Sequence, residues 1–393
     1  MSIPDPSPPR LSLLQLSWRF LRFGFFAFGG PVAQIAMVKQ ALVEEERWIS
    51  PERFNRLLAV MQILPGPEAH ELCVHLGMVA RGRMGGLLAG LGFMLPGFAL
   101  MLGAAWLYKD WIVGNPAMIS IFLGVQIAVL AIILRAVQRI GTHILEDRLL
   151  WLLAAMSMTA TLADAPFWIP LTAAGLVYGF AARPAAVVAV LAAAIGLAML
   201  MPGAGPAGTP TVAASEVGII ALFATGLKGG LLTFGGAYTA IPYVRTDTVG
   251  RGWLSDASFL DGVAISGMLP APLVIFATFA GYVVAGMPGA LAITAGMFLP
   301  AFAFSMIFFE RLEAAVENPA LHRALAGVAA AVVGVIGATL LQLGWATALR
   351  VSSPAAGLAI FGSAVAAVTG LRGKWLAPLL VIAAGGAGWL LDP

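Results

Sequence analysis

The sequence predicts an all-α polytopic membrane protein: two inverted-topology repeats of six segments each, joined by one linking helix, with helices broken at Gly-Gly and Pro-x-Pro. Three observations carry that expectation. Of 393 residues, 60% are hydrophobic and only 10% charged, and the mean hydropathy is +0.93, whereas a soluble domain carries roughly 25% charge. The apolar stretches approach the ~20 residues that one helical crossing needs. The chain also resembles itself at a shift of about 205 positions.

The same numbers exclude other classes. The net charge of +3 is unclustered and makes no nucleic-acid groove. A single cysteine, Cys73, rules out a disulfide framework or a cysteine-cluster metal site. Four histidines are few for a catalytic metal centre, and no cofactor is expected. The apolar runs are too long, and alternate too little, for a membrane barrel. In a bilayer without water to satisfy the backbone, nearly everything must therefore be helix.

The elements follow in order. Residues 1–10 are polar and proline-rich and read as a disordered leader without a cleavable signal. The first repeat, 11–182, opens with an apolar stretch at 11–37 that contains Gly29-Gly30-Pro31. After a charged loop at 39–56 comes a stretch to residue 80, broken by Pro65-Gly66-Pro67 and ended by Arg81-Gly82-Arg83. Segments at 84–107, 117–134, 149–163 and 167–182 complete this repeat. A linking helix and an uncharged linker occupy 183–215. The second repeat, 216–393, holds 217–244 with Gly235-Gly236, 259–281 with Pro270-Ala271-Pro272, 289–309, 320–341, 355–370 and 376–391. The total is about thirteen membrane segments.

The register of the repeat is tight. Phe28-Gly29-Gly30 returns as Phe234-Gly235-Gly236, 206 positions on. Trp48, Phe54, Pro65 and Pro67 return as Trp253, Phe259, Pro270 and Pro272, each at 205. Asn115-Pro116-Ala117 returns as Asn318-Pro319-Ala320 at 203. An odd number of segments between equivalent points inverts the second copy across the membrane. Charge agrees: Arg81 and Arg83 sit in a turn whose counterpart, 282–288, carries none. With the amino terminus inside, twelve Lys/Arg fall on the cytoplasmic side and six outside. The sequence leaves open whether the Gly-Gly segments cross or re-enter; re-entry would place the amino terminus outside. Trp48 and Trp253 are expected as interfacial anchors.

Inverted repeats with helices broken at matching places point to a secondary transporter with a site near the midplane. A half-helix that starts after a break presents free N–H groups and a positive dipole end, which suits an anion. The candidate substrate-binding residues are Arg22, Gly29, Gly30, Pro31, Pro65, Gly66, Pro67, Lys228, Thr233, Gly235, Gly236, Tyr238, Pro270 and Pro272. Arg22 and Lys228 each lie seven residues before the first paired Gly of a break, two helical turns away and on the same face. An intramembrane cation costs ~3 kcal/mol or more. Two of them converging across a pseudo-twofold axis suit a doubly charged tetrahedral oxyanion. The first repeat adds Glu68, His70, Glu71 and His75, whose second-copy counterparts are apolar; they are the proton-coupling candidates. Glu68, Glu71 and His75 share a helix face, and His70 points elsewhere. Asp261 is expected to cap or pair near a loop, and His143 and His322 to be solvated.

These motifs resemble the chromate ion transporter family, in its long two-domain type. The resemblance rests on the Phe-Gly-Gly breaks at Phe28 and Phe234, the stretch Gln62-Ile63-Leu64-Pro65-Gly66-Pro67-Glu68-Ala69, and the Trp48 loop before it. It covers nearly the whole chain. It implies thirteen crossings with opposed halves in the bacterial inner membrane. It also implies chromate export driven by membrane potential or an ion gradient, chromate resistance, and sulfate as a competing or related dianion. This sequence departs from the pattern at Ala271 in Pro270-Ala271-Pro272 and at Ala237 in place of Pro31. The expected partners are the dianion, protons and the lipid bilayer, with no nucleic acid; an oligomer is compatible with such a scaffold. The competing readings are an anion channel or sulfate-type uptake on the same scaffold, and a membrane enzyme acting on phosphorylated lipid. The enzyme would need clustered catalytic groups at one interface, which the sequence lacks.

Overall fold

The computed structural model describes residues 8–9, 11–63, 66–201, 217–234, 236–308, 319–371, 373 and 375–391. Most of the leader, the 202–215 linker, Pro65 and Gly235 lie outside the described residues. Among those described there are fifteen α-helices and no strand. They are α1 (Leu13–Phe26), α2 (Gly30–Lys39), α3 (Pro51–Ile63), α4 (Glu68–Leu107), α5 (Pro116–Ile144), α6 (Arg148–Leu162), α7 (Trp168–Gly179) and α8 (Pro184–Leu200). The second set is α9 (Ile219–Leu231), α10 (Ile241–Thr248), α11 (Asp256–Met268), α12 (Phe276–Ala303), α13 (Pro319–Ala348), α14 (Pro354–Gly370) and α15 (Leu376–Leu391).

Four stretches are long and apolar enough to cross a membrane: Glu68–Ile112, Met118–Ile144, Leu273–Ile307 and Leu321–Ala348. The other apolar helices are shorter, at 10–17 residues. The chain is thus a multi-pass membrane protein.

Local chemistry sets the helix boundaries. Ser12 and Gln15 form a reciprocal capping box that starts α1, and the Asp147 carboxylate accepts from Leu150 N–H at 2.9 Å to start α6. The four expected breaks are all non-helical. α1 ends before Gly29 (φ 89°) and Gly30 (φ 75°), left-handed values that favour glycine, and Pro31 stands in the first turn of α2. Gly66 (φ 150°) and Pro67 separate α3 from α4. Gly236 (φ 129°) follows the end of α9. Leu269 to Pro272 are non-helical, with extended backbone at Leu269 (φ −89°, ψ 151°), between α11 and a short 3₁₀ turn that leads into α12.

α4 and α12 are each folded back on themselves. Arg81 (φ −144°, ψ 30°) and Gly82 (φ 62°, ψ −160°) interrupt α4; Ala285 (φ −137°, ψ 24°) and Gly286 (φ 61°, ψ −152°) interrupt α12 in nearly the same conformation, 204 positions later. The arms of each hairpin meet through glycine. A Cβ on Gly77 or Gly85, or on Gly281 or Gly289, would collide with the opposite arm. The first arm of α4, residues 68–80, is only ~20 Å long at ~1.5 Å per residue, against a hydrocarbon core of ~30 Å. It is a half-helix that starts at the Gly66-Pro67 break.

The two sets of helices exchange partners. α1 packs on α4, as α9 packs on α12. α5 packs against α14 and α15 of the second set, and α13 against α6 and α7 of the first. The approach is close because the contact residues are small: a Cβ on Gly124 would collide with Ala384, and one on Gly327 with Ala174. α4 and α12 themselves pack together at the centre.

Trp48 corrects an expectation. It is wholly buried among Phe20, Phe54 and Leu42, with its indole N–H donated to Glu46 at 3.0 Å, so it is a core residue and not an interfacial anchor. The charged loop folds inward because Arg19, lying over the Phe23 and Trp48 rings, pairs with Glu46.

Candidate functional site

The breaks of one copy meet the breaks of the other. Gly66 N–H donates to Thr233 O at 2.8 Å, which joins the Pro-x-Pro break of the first set to the Gly-Gly break of the second. At the equivalent crossing, the Gln34 side-chain amide donates to Ala27 O at 2.8 Å and to Ala271 O at 2.9 Å. Ala27 and Thr233 stand 206 positions apart and Gly66 and Ala271 205, the offsets of the sequence repeat. One crossing is thus closed by a direct backbone hydrogen bond and the other by a side-chain bridge. Gly97 allows the second, since a Cβ there would strike Ala271 and lie 3.1 Å from Pro270 O. Pro270 and Pro272 flank that contact.

At the first crossing, Pro67 is the N-cap of the half-helix. Its carbonyl accepts from His70 N–H at 2.8 Å and Glu71 N–H at 3.0 Å, and Glu68 and Ala69 form the first turn of the half-helix, where amides lack a partner four residues back within the helix. Glu71 is fully buried; neither carboxylate oxygen has a hydrogen-bond partner among the described residues, and Oε1 fills the space where a Gly66 Cβ would stand. Glu68 and His75 are buried beside it, His75 within electrostatic reach of Arg53. His70 turns away, as its helix position predicts. Its Nε2 lies 3.2 Å from Gly90 O, and its ring meets Phe298 at 4.9 Å and Phe302 at 4.8 Å on α12.

The symmetric cations sit in unlike settings. Arg22 is exposed on α1 within electrostatic reach of Arg19. Lys228 donates to Asp247 of α10 at 2.8 Å, and its Nζ stands 4.1 Å from the centroid of the Phe167 ring. Lys228 is therefore already neutralised in this conformation. The Thr233 hydroxyl is engaged too, donating to Gly229 O at 2.6 Å. Tyr238, in the 3₁₀ turn after Gly236, is part-buried.

Several polar residues escaped the sequence reading. Gln34 carried a signal, being the single polar side chain in the run 23–38. Asp247 lies nineteen residues from Lys228, and no local pattern joins them. Asp261 is buried. It accepts from the Tyr108 hydroxyl at 2.7 Å and from the Gln126 amide at 2.7 Å, and Gln126 Oε1 accepts in turn from Arg350 at 2.8 Å. Arg245 makes a two-pronged pair with Asp256 at 2.7 and 3.0 Å and donates to Gln342 at 2.8 Å. No group of three or more metal-ligating side chains occurs among the described residues.

Comparison with known proteins identifies the scaffold. The chromate transporter family model matches residues 14–197 and 220–389, the two sets of helices. A chromate transport protein of Pseudomonas aeruginosa is 55% identical over 391 residues, 98% of this chain and 94% of that protein. One from Cupriavidus metallidurans is 33% identical over 342 residues, 85% of this chain and 83% of that protein. An uncharacterized transporter of Bacillus subtilis is 28% identical over 114 residues, 29% of this chain and 57% of the relative. No solved structure matches. Matched in two regions that together span nearly its whole length, the chain belongs to the chromate transporter family, whose members are transport proteins and not enzymes.

Proposed function

We propose that the protein is a secondary active transporter that exports chromate, or a sulfate-like dianion, across the bacterial inner membrane by alternating access of two inverted repeats, and so confers chromate resistance. The observation that carries this reading is the reciprocal crossing of the breaks, Gly66 on Thr233 and Gln34 on Ala27 and Ala271. It brings interrupted helices of both copies to shared points, which is where transporters of this architecture bind substrate. About thirteen segments with opposed halves fit the odd spacing between copies and the matched kinks at Gly82 and Gly286.

In this reading the half-helix amides at Glu68 and Ala69 hydrogen-bond the anion, and Lys228 exchanges Asp247 for it. Glu71, a buried carboxylate without a hydrogen-bond partner among the described residues, takes the coupling proton, with Glu68 and His75 beside it. The test is flux of labelled chromate and sulfate into vesicles holding purified protein, with imposed pH and voltage. Saturable uptake that accelerates when unlabelled anion is loaded on the opposite side supports a carrier. Uptake without such counterflow shows a channel and overturns the mechanism.

A further inference from the structure

The first crossing has a floor that belongs to neither break. A Cβ on Gly236 would lie 4.0 Å from Ile140 Cδ1, so the C-terminal part of α5 passes beneath the meeting point of Gly66 and Thr233. The residue before Ile140 is Arg139. It is exposed, has no ion-pair partner among the described residues, and lies within electrostatic reach of both Glu68 and Tyr238. It stands nine residues beyond the middle of α5, about 13 Å along the axis towards the helix end.

The other candidate cations compare poorly. Lys228 is held by Asp247 and the Phe167 face, and Arg22 lies exposed beside Arg19, itself paired with Glu46. A guanidinium offers five donors in a planar fork that matches two oxygens of a tetrahedral oxyanion. Arg139 can present that fork without first breaking an ion pair. The first-turn amides of Glu68 and Ala69 and the Tyr238 hydroxyl add donors around the same point.

The geometry points to Arg139 as the residue that grips the oxyanion at the crossing of Gly66–Glu68 with Thr233–Tyr238, with Glu68 as the resident carboxylate that faces it when the site is empty. This rests on the oxyanion-transporter reading above and deepens it. Glu68 opposes a second negative charge near Arg139, so its removal should favour the anion, whereas removal of Arg139 should weaken it.

The test uses the full chain, purified and reconstituted, with Arg139→Gln, Arg139→Lys, Glu68→Gln and Arg135→Gln. Arg135 is exposed one turn earlier on α5 and controls for loss of one surface charge. Two readouts are taken: the chromate concentration at half-maximal flux, and the thermal stabilisation given by chromate, sulfate and phosphate. Arg139→Gln should raise the half-saturating concentration at least tenfold and abolish the stabilisation. Arg139→Lys should recover part of both, Glu68→Gln should lower the half-saturating concentration, and Arg135→Gln should behave as wild type. Wild-type saturation or stabilisation in Arg139→Gln, or an equal loss in Arg135→Gln, overturns the role of Arg139 and leaves the transporter reading standing. A wild-type protein with neither saturable flux nor stabilisation by any of the three anions overturns both.

Discussion

The Lys228–Asp247 pair allows a substrate role to be separated from a structural one. Lys228→Gln leaves the Asp247 side chain, 12% exposed, without its counter-ion; the Lys228 side chain is itself 22% exposed. Breaking a fully buried pair costs ~3–5 kcal/mol, and an exposed pair is worth ~0–1 kcal/mol. This geometry lies nearer the buried limit, which suggests about 2–3 kcal/mol, with about 1 kcal/mol more for the lost contact with the Phe167 ring. Lys228→Gln should therefore lower the melting midpoint in detergent by several degrees. Lys228→Gln combined with Asp247→Asn removes both charges and keeps a neutral hydrogen bond. It should recover most of the stability, with a coupling of about 2 kcal/mol in a double-mutant cycle. Transport should not recover, because the cation that would exchange Asp247 for the dianion is gone. The assay is a thermal melt and a vesicle flux on the same four preparations. Normal flux in the double variant would refute a substrate role for Lys228, and failure of the melt to recover would refute the argument from charge pairing.

Gly66→Ala should abolish transport with the protein still in the membrane, since a Cβ there meets the Glu71 carboxylate and φ is 150°; vesicle flux against membrane-fraction yield checks it. Gln34→Leu removes two buried hydrogen bonds at about 1 kcal/mol each and leaves two carbonyls unpaired, so a melt should show a loss of about 2–4 kcal/mol and flux should fall. Glu71→Gln should flatten the pH dependence of flux; an unchanged profile argues against a coupling role. Asp147, in the connection between α5 and α6, is held below the usual carboxylate range by the Tyr178 hydroxyl at 2.6 Å and by Leu150 N–H. Its stabilising effect is fully present above the unfolded value near ~4 and is lost as pH falls through the lower folded value. The melting midpoint should therefore drop more steeply with acid in wild type than in Asp147→Asn.

What the sequence determined by itself is whatever depends on neighbours in the chain. Too few charges and long apolar runs leave a helical membrane protein as the outcome, because a bilayer satisfies no backbone group. Gly29, Gly66 and Gly236 adopt backbone angles open mainly to glycine, and proline lacks a donor, so the breaks were legible as short strings of letters. The turn at Arg81-Gly82 was legible for the same reason, and so was the turning away of His70 from Glu68 and Glu71.

Only the tertiary structure decided who meets whom. Gln34 reaches a carbonyl 237 residues away, Tyr108 a carboxylate 153 residues away, and Lys228 spends its charge on Asp247. A polar group without water takes whichever partner packing brings within about 3 Å, and packing between two interleaved copies is set by small residues far apart in sequence. For that reason Trp48 proved to be core, Arg22 and Lys228 lost their equivalence, and Arg139, a plain helix-end charge in the sequence, came to stand beside the crossing of the breaks.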